Sequence, residues 1–219
     1  MSYHLRVKIC GVATEVDARQ AALLGADAIG LNFYEGSPRR VEAAAAQGIL
    51  RELPPFVTAV GVFVELPMRK IFEYIQALRR INVIQWHGEN REMSDCFPHH
   101  LIAAFPVRDA ASLQTIQRYV ETCRALGRLP AALLLDGHAP GQHGGTGRTV
   151  PWRLLETFRP GVPIILAGGL TPDNVAEAVR IVRPYGVDAA SGVESAPGRK
   201  DADKLRRFIA NAREAAAQL

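Results

Sequence analysis

A chain of 219 residues, 48% apolar and 22% charged with a net charge of +4, is long enough to bury one large core. Its basic excess comes mostly from scattered arginines, with lysines only at Lys8, Lys70, Lys200 and Lys204, so no clustered patch invites nucleic acid. Three cysteines (Cys10, Cys96 and Cys123) without metal spacing exclude a disulfide framework, and no apolar run nears the ~20 residues of a membrane span.

The first strand is expected over 5–11, reading L-R-V-K-I-C-G. Thr14 and Asp17 frame a capping box that opens a helix running to Leu24 and closed by Gly25. A second strand over 26–34 leads through the loop Ser37-Pro38-Arg39-Arg40 to an alanine-rich helix over 41–53. Strand 58–64 precedes an amphipathic helix over 67–80. Strand 82–87 precedes a short polar stretch with one helical turn. Strand 101–107 feeds a long helix over 110–126, and the apolar strand 131–136 ends in Asp136. The glycine-rich segment 137–149 has no hydrophobic pattern and reads as a long mobile loop, a lid or binding loop. A short helix over 152–158, strand 163–167, helix 171–182, strand 186–190 and helix 201–217 complete the chain.

Eight short, β-branched, apolar strands alternating with helices suit a parallel sheet covered on both faces. Eight such units in one chain predict a single (β/α)8 barrel, one domain over 1–219. A doubly wound sheet would show a glycine-rich fingerprint after its first strand, and Cys10-Gly11-Val12-Ala13 is none. The early first strand leaves no place for a signal peptide, and the odd cysteine count points to a reducing, cytoplasmic setting.

The last third carries the clearest chemistry. Gly168-Gly169 follows one strand, ahead of Thr171-Pro172-Asp173, which reads as an N-cap with proline at the first helical position. Ser191-Gly192 follows the next strand. Bare backbone beside a helix N-terminus suits a phosphate, and two such turns stand where a barrel keeps its phosphate site. A pair of tight turns that need glycine for backbone reasons is the plainer alternative.

Barrel chemistry sits at the C-terminal ends of strands. Standing there are Cys10, Asn32, Glu65, Gln85, His87, Arg108, Asp136, Gly168, Asp188 and Ser191. Cys10 is a nucleophile or base if its thiolate forms, and otherwise a small buried residue. Asp136, closing three leucines, either holds a proton by desolvation or caps a helix or pairs with Arg148. Lys8 shares the strand face of Cys10 and is either a Schiff-base lysine or a charge-paired core residue. Gln85 and His87 share a face as wall residues, and Arg39 either forks onto a carboxylate or lies in solvent.

Taken together, the motifs resemble the phosphoribosylanthranilate isomerase family, nearly end to end. The resemblance is carried by V-K-I-C-G (7–11), G-A-D-A-I-G (25–30), F-Y-E-G-S-P-R (33–39), P-P-F-V-T-A-V-G-V-F-V (54–64) and Q-W-H-G (85–88). It continues through L-L-D (134–136), G-G-T-G (144–147), L-A-G-G-L-T-P-D-N-V (166–175) and S-G-V-E-S-A-P-G-R-K-D (191–201). The resemblance implies an Amadori rearrangement in tryptophan biosynthesis, with Cys10 as general base and Asp136 as general acid. It implies Arg39 as clamp for a carboxylate, Asp188 near the sugar hydroxyls, and Gln85 and His87 as polar wall. The phosphate falls to Gly168, Gly169, Ser191 and Gly192. No cofactor or metal is implied; the expected partner is a small phosphorylated substrate, not nucleic acid or membrane, and the expected assembly is a monomer or homodimer. Two positions depart from the family pattern: Ala190 replaces a serine, and Arg148 replaces a lysine.

Three rivals remain. A histidine-pathway aminoaldose isomerase would hold two phosphates, use two aspartates and show a half-chain repeat. A Schiff-base aldolase would use Lys8, and a non-catalytic sugar-phosphate binder would not need Cys10 and Asp136 together.

Overall fold

The computed structural model describes residues 4–88, 100–137 and 151–219. Eight parallel strands close into a barrel in chain order. They are β1 (Arg6–Cys10), β2 (Ala28–Asn32), β3 (Thr58–Val64), β4 (Ile81–His87), β5 (His100–Pro106), β6 (Ala132–Asp136), β7 (Ile164–Leu166) and β8 (Gly186–Ala189). The register of β1 against β8 sets Lys8 opposite Asp188, and against β2 it sets Cys10 opposite Gly30.

The helices described are α1 (Glu15–Leu23), α2 (Ala43–Glu52), α3 (Met68–Ala77), α4 (Ala110–Ala125), α5 (Trp152–Leu155), α6 (Val175–Val182) and α7 (Ala202–Ala217). Their starts follow local chemistry. Thr14 caps α1 by accepting from the Asp17 amide, Asp109 caps α4 from Ser112, and Asp201 caps α7 from Asp203 and Lys204. The expected helical turn after β4, all but the first residue of the 137–149 loop, Cys96 and Arg148 lie outside the described residues. No helix among the described residues is long and apolar enough to cross a membrane.

Strand alternation splits the core in two. Outward residues such as Val7, Ile9, Ile29, Leu31, Phe63 and Leu133 pack under the helices in one large cluster. Inward residues Val60, Ile102, Ala104, Ala132, Leu134, Ile165 and Ala167 form a second, small cluster inside the barrel. Buried polar side chains also stand on the inward face of β1, β4 and β8: Lys8, Gln85 and Asp188.

Several element ends differ from expectation by one to three residues, α3 for instance ending at Ala77 rather than 80, and three differences have a local cause. α5 ends at Leu155, not 158, because the bonds that follow tighten to three-residue spacing and Pro160 and Gly161 come next. α6 begins at Val175, not 171, for a reason that belongs to the site. A small antiparallel hairpin, β9 (Glu194–Ala196) and β10 (Arg199–Lys200), precedes α7 where the sequence shows no strand pattern.

Candidate active site

The C-terminal ends of the strands surround one cleft, with about 900 Å³ of space including its open mouth. All ten expected site residues line it: Cys10, Arg39, Gln85, His87, Asp136, Gly168, Gly169, Asp188, Ser191 and Gly192. Of the other strand-end residues, Asn32 also lines it, while Glu65 and Arg108 do not.

On the β1–β8 side, Lys8 is 4% exposed and its ammonium sits 2.9 Å from Asp188 Oδ1. Lys8 is therefore the charge-paired core residue. Burial pulls its pKa down, but Asp188 and Cys10 outweigh burial and hold it above the ordinary lysine value. Cys10 stands one layer higher on the same strand face. Burial pushes its thiol up, Lys8 and Lys200 pull it back, Asp188 pushes it further, and the sum lies above the ordinary cysteine value.

Arg39 is not solvated. It is 7% exposed, and its Nε and Nη2 each lie 2.8 Å from a carboxylate oxygen of Glu194. The loop is built to place it. Ser37 Oγ accepts from the Arg39 amide and from Asn32 Nδ2, which ties the loop to the end of β2. Gly11 makes the room: its φ is +66°, and a Cβ there would collide with Arg39 Cδ. Glu194 raises the Arg39 pKa above its ordinary value. Glu194 in turn stays below the usual glutamate value: burial opposes this, but Arg39 and Lys200 prevail. Sequence reasoning missed Glu194 and Lys200 as site-building residues. The one available signal was the E-S-A-P-G-R-K stretch inside a motif already singled out.

On the β6 side, burial pushes Asp136 up to about 6, and the neighbouring Asp188 adds to it. On β4, Gln85 Nε2 lies 2.8 Å from His87 Nε2. Gln85, which lines the cleft, has its Oε1 buried with no hydrogen-bond partner among the described residues.

The two turns at the far end touch. A Cβ on Gly192 would overlap the Leu170 carbonyl, so only glycine lets the turn after β8 approach the turn after β7. Gly168 and Gly169 both take left-handed φ, at +84° and +63°. Asn174 pins that turn, accepting from the Thr171 amide and donating to the Gly169 carbonyl. The expected helix start at Thr171 moves to Val175, with Asn174 at the cap position and no side-chain cap bond there. Thr171 keeps capping bonds, its hydroxyl accepting from the Asp173 amide and its carbonyl from the Asn174 and Val175 amides, and residues 172–174 form a turn leading into α6. The Val175 amide is taken by the Thr171 carbonyl, and the cleft is lined by the turns themselves, at Gly168, Gly169, Leu170, Ser191 and Gly192.

Residues 7–211 match the family described as N-(5'-phosphoribosyl)anthranilate (PRA) isomerase. An N-(5'-phosphoribosyl)anthranilate isomerase from Geobacter metallireducens is 47% identical over 210 residues, covering 95% of this chain and 99% of the relative. The crystal structure of phosphoribosyl anthranilate isomerase from Thermotoga maritima superposes with a TM-score of 0.85 at 37% identity, covering 96% of this chain and all of that one. A structure of the same enzyme type in complex with reduced 1-(o-carboxyphenylamino)-1-deoxyribulose 5-phosphate gives 0.81 at 35% identity, with the same coverage.

Proposed function

Because the chain belongs to the N-(5'-phosphoribosyl)anthranilate isomerase family, and so is an isomerase of tryptophan biosynthesis, we propose that Cys10 and Asp136 drive an Amadori rearrangement. The product is 1-(2-carboxyphenylamino)-1-deoxyribulose 5-phosphate. Asp136 gives its proton to the furanose ring oxygen, and the C1–O bond opens to an iminium. The iminium acidifies the C2 hydrogen, which the Cys10 thiolate removes. The enolamine that results tautomerises to the ketone. Each proton transfer of this kind contributes on the order of 10²–10⁴-fold.

The observation that carries this reading is one cleft holding two acids on different strands, Cys10 buried and Asp136 half-buried. One of them, Asp136, is pushed to about 6, near the pH at which a general acid works best. Arg39 fits the carboxylate clamp in a specific way. Glu194 holds Nε and one Nη2 proton, which fixes the guanidinium plane and leaves its other N–H groups for the anthranilate carboxylate. Gln85 Oε1 and the second oxygen of Asp188 are acceptors for sugar hydroxyls. The Gly168-Gly169 and Ser191-Gly192 turns take the phosphate through their backbone. Without the serine hydroxyl that Ala190 replaces, that grip rests on the remaining donors.

All ten residues come from one chain, so the activity needs no second subunit; the assembly is a monomer or a homodimer of complete, single-domain barrels. The reaction needs no cofactor, and a metabolic enzyme with unpaired Cys10 and Cys123 suits the cytoplasm.

Turnover tests the proposal. The fluorescence of N-(5-phosphoribosyl)anthranilate should decay with the purified protein and with little else. Cys10→Ser should keep the fold and lose at least ~10²-fold in kcat, since an alcohol is a far weaker base at neutral pH. Binding without decay would make the protein a sugar-phosphate binder, and wild-type kcat in Cys10→Ser would remove the base.

A further inference from the structure

Resting on Cys10 as the base, one buried lysine beside it has no part in the chemistry above. Lys200 Nζ lies 2.7 Å from the Cys10 carbonyl, 2.8 Å from Glu194 Oε1 and 3.2 Å from the Ala190 carbonyl. These three acceptors use all three ammonium protons. Glu194 also holds Arg39, so two cations share one carboxylate. On the other side of the thiol, Lys8 and Asp188 pair one to one. The charged groups round Cys10 and the hairpin are thus Lys8 on β1, Arg39 after β2, Asp188 on β8, Glu194 and Lys200 on the hairpin, the buried Asp17 of α1, which accepts from the Lys200 amide, and the partly buried Lys204 of α7, which donates to the Glu194 carbonyl. Among the described residues these four cations and three carboxylates leave one positive charge in excess. A buried charge without a counterion is strongly unfavourable. Two acids can answer it, Asp136 across the cleft or Cys10 beside it. Catalysis needs the charge on Cys10 and the proton on Asp136, and Lys200 stands on the Cys10 side.

We propose that Lys200 is a positioning residue for the general base: it ties the end of β1 to the hairpin and supplies the surplus positive charge that a Cys10 thiolate neutralises. A neutral donor would hold the carbonyl equally well; only a charge biases the proton toward Asp136. Glu194 has the opposite effect, because it cancels one of the two cations beside it.

The two residues therefore make a signed test. Alkylation of Cys10 by iodoacetamide is followed against pH by mass spectrometry of its peptide, without substrate. Lys200→Met should move the midpoint up by roughly 1 pH unit, an opposite charge at close range being removed. Lys200→Arg, which keeps the charge, should stay near wild type. Glu194→Gln should move the midpoint down. Lys200→Met should also lose about tenfold in kcat/KM at neutral pH for each pH unit by which the midpoint rises. If Lys200→Met does not fold, Glu194→Gln still decides. Midpoints that do not move, or that move the same way in both folded variants as simple loosening would make them, overturn the proposal. Wild-type activity in Cys10→Ser is a different result, and it removes the base itself.

Discussion

On the β1–β8 side of the cleft, Cys10 stands among Lys8, Asp188, Arg39, Glu194 and Lys200; on the β6 side, Asp136 closes an apolar strand. Burial raises the pKa of both acids; Lys8 and Lys200 oppose the rise at Cys10, whereas the neighbouring Asp188 adds to the rise at Asp136. The same desolvation therefore makes Asp136 a proton donor within reach of neutral pH, while Cys10 becomes a base only through its charged surroundings. The charged cluster round the thiol and the raised pKa of the carboxyl are two halves of one device for moving a proton across the sugar.

Breaking the charged side should have the largest effect. Lys8→Met leaves Asp188 buried without its cation, and stability measured by denaturant unfolding should fall by about 3–5 kcal/mol. By contrast, the exposed Arg69–Glu73 pair should contribute under about 0.5 kcal/mol to the same measurement. A loss at Lys8 no larger than that would mean the buried pair is not what holds β1 to β8.

Asp136→Asn breaks the apolar side. It keeps shape but has no proton to deliver, so kcat should drop at least ~10²-fold with KM little changed. Stability should move the other way. The folded pKa, about 6, lies above the ordinary 3.8, so the folded state prefers the protonated acid. Its contribution is fully present below the unfolded value and is lost as pH rises through about 6. At neutral pH the asparagine variant should then be more stable by on the order of 2–3 kcal/mol, read as a raised Tm. A raised KM with unchanged kcat would make Asp136 a binding residue and send the search for the acid to Asp188, His87 and Glu194.

The pH profile sharpens the comparison. The active form has its proton on Asp136 and none on Cys10, the reverse of what their pKa values favour at rest. kcat/KM should be flat between about 6 and the raised thiol value, falling tenfold per unit on either side. An upper limb at or below the ordinary cysteine value would contradict the buried thiol. Smallest is the effect expected at the phosphate end. Gly192→Ala forces the two turns apart, and KM should rise roughly tenfold while kcat changes less.

The barrel was legible because its signals are local: short apolar strands, Thr14 and Asp201 at helix starts, Gly25 after α1. The ten cleft residues were legible for the same reason, since the end of a strand is a position in sequence. Their roles came from motif resemblance rather than from residue type. Pairings across the chain were not legible. Nothing near Arg39 announces that its fork closes on Glu194, 155 residues away. The β9–β10 hairpin was hidden because strands of three and two residues are too short to show alternation. α6 was misplaced because Thr-Pro-Asp is equally good chemistry for a turn, and Asn174 decides between the two from three residues further on.

The closure of β1 on β8 also sets a clock. Lys8 leaves the ribosome 180 residues ahead of its counterion Asp188. At ~5–20 residues per second that is a wait of roughly 10–40 s. Glu194 and Lys200 emerge later still. Until then the nascent chain carries an unpaired lysine on a strand with an open edge, and neither Cys10 nor Arg39 has its final neighbours. Catalytic competence therefore arrives only once Asp188, Glu194 and Lys200 have emerged. Truncated products of interrupted synthesis should be inactive and should expose a free strand edge that quality-control machinery can bind.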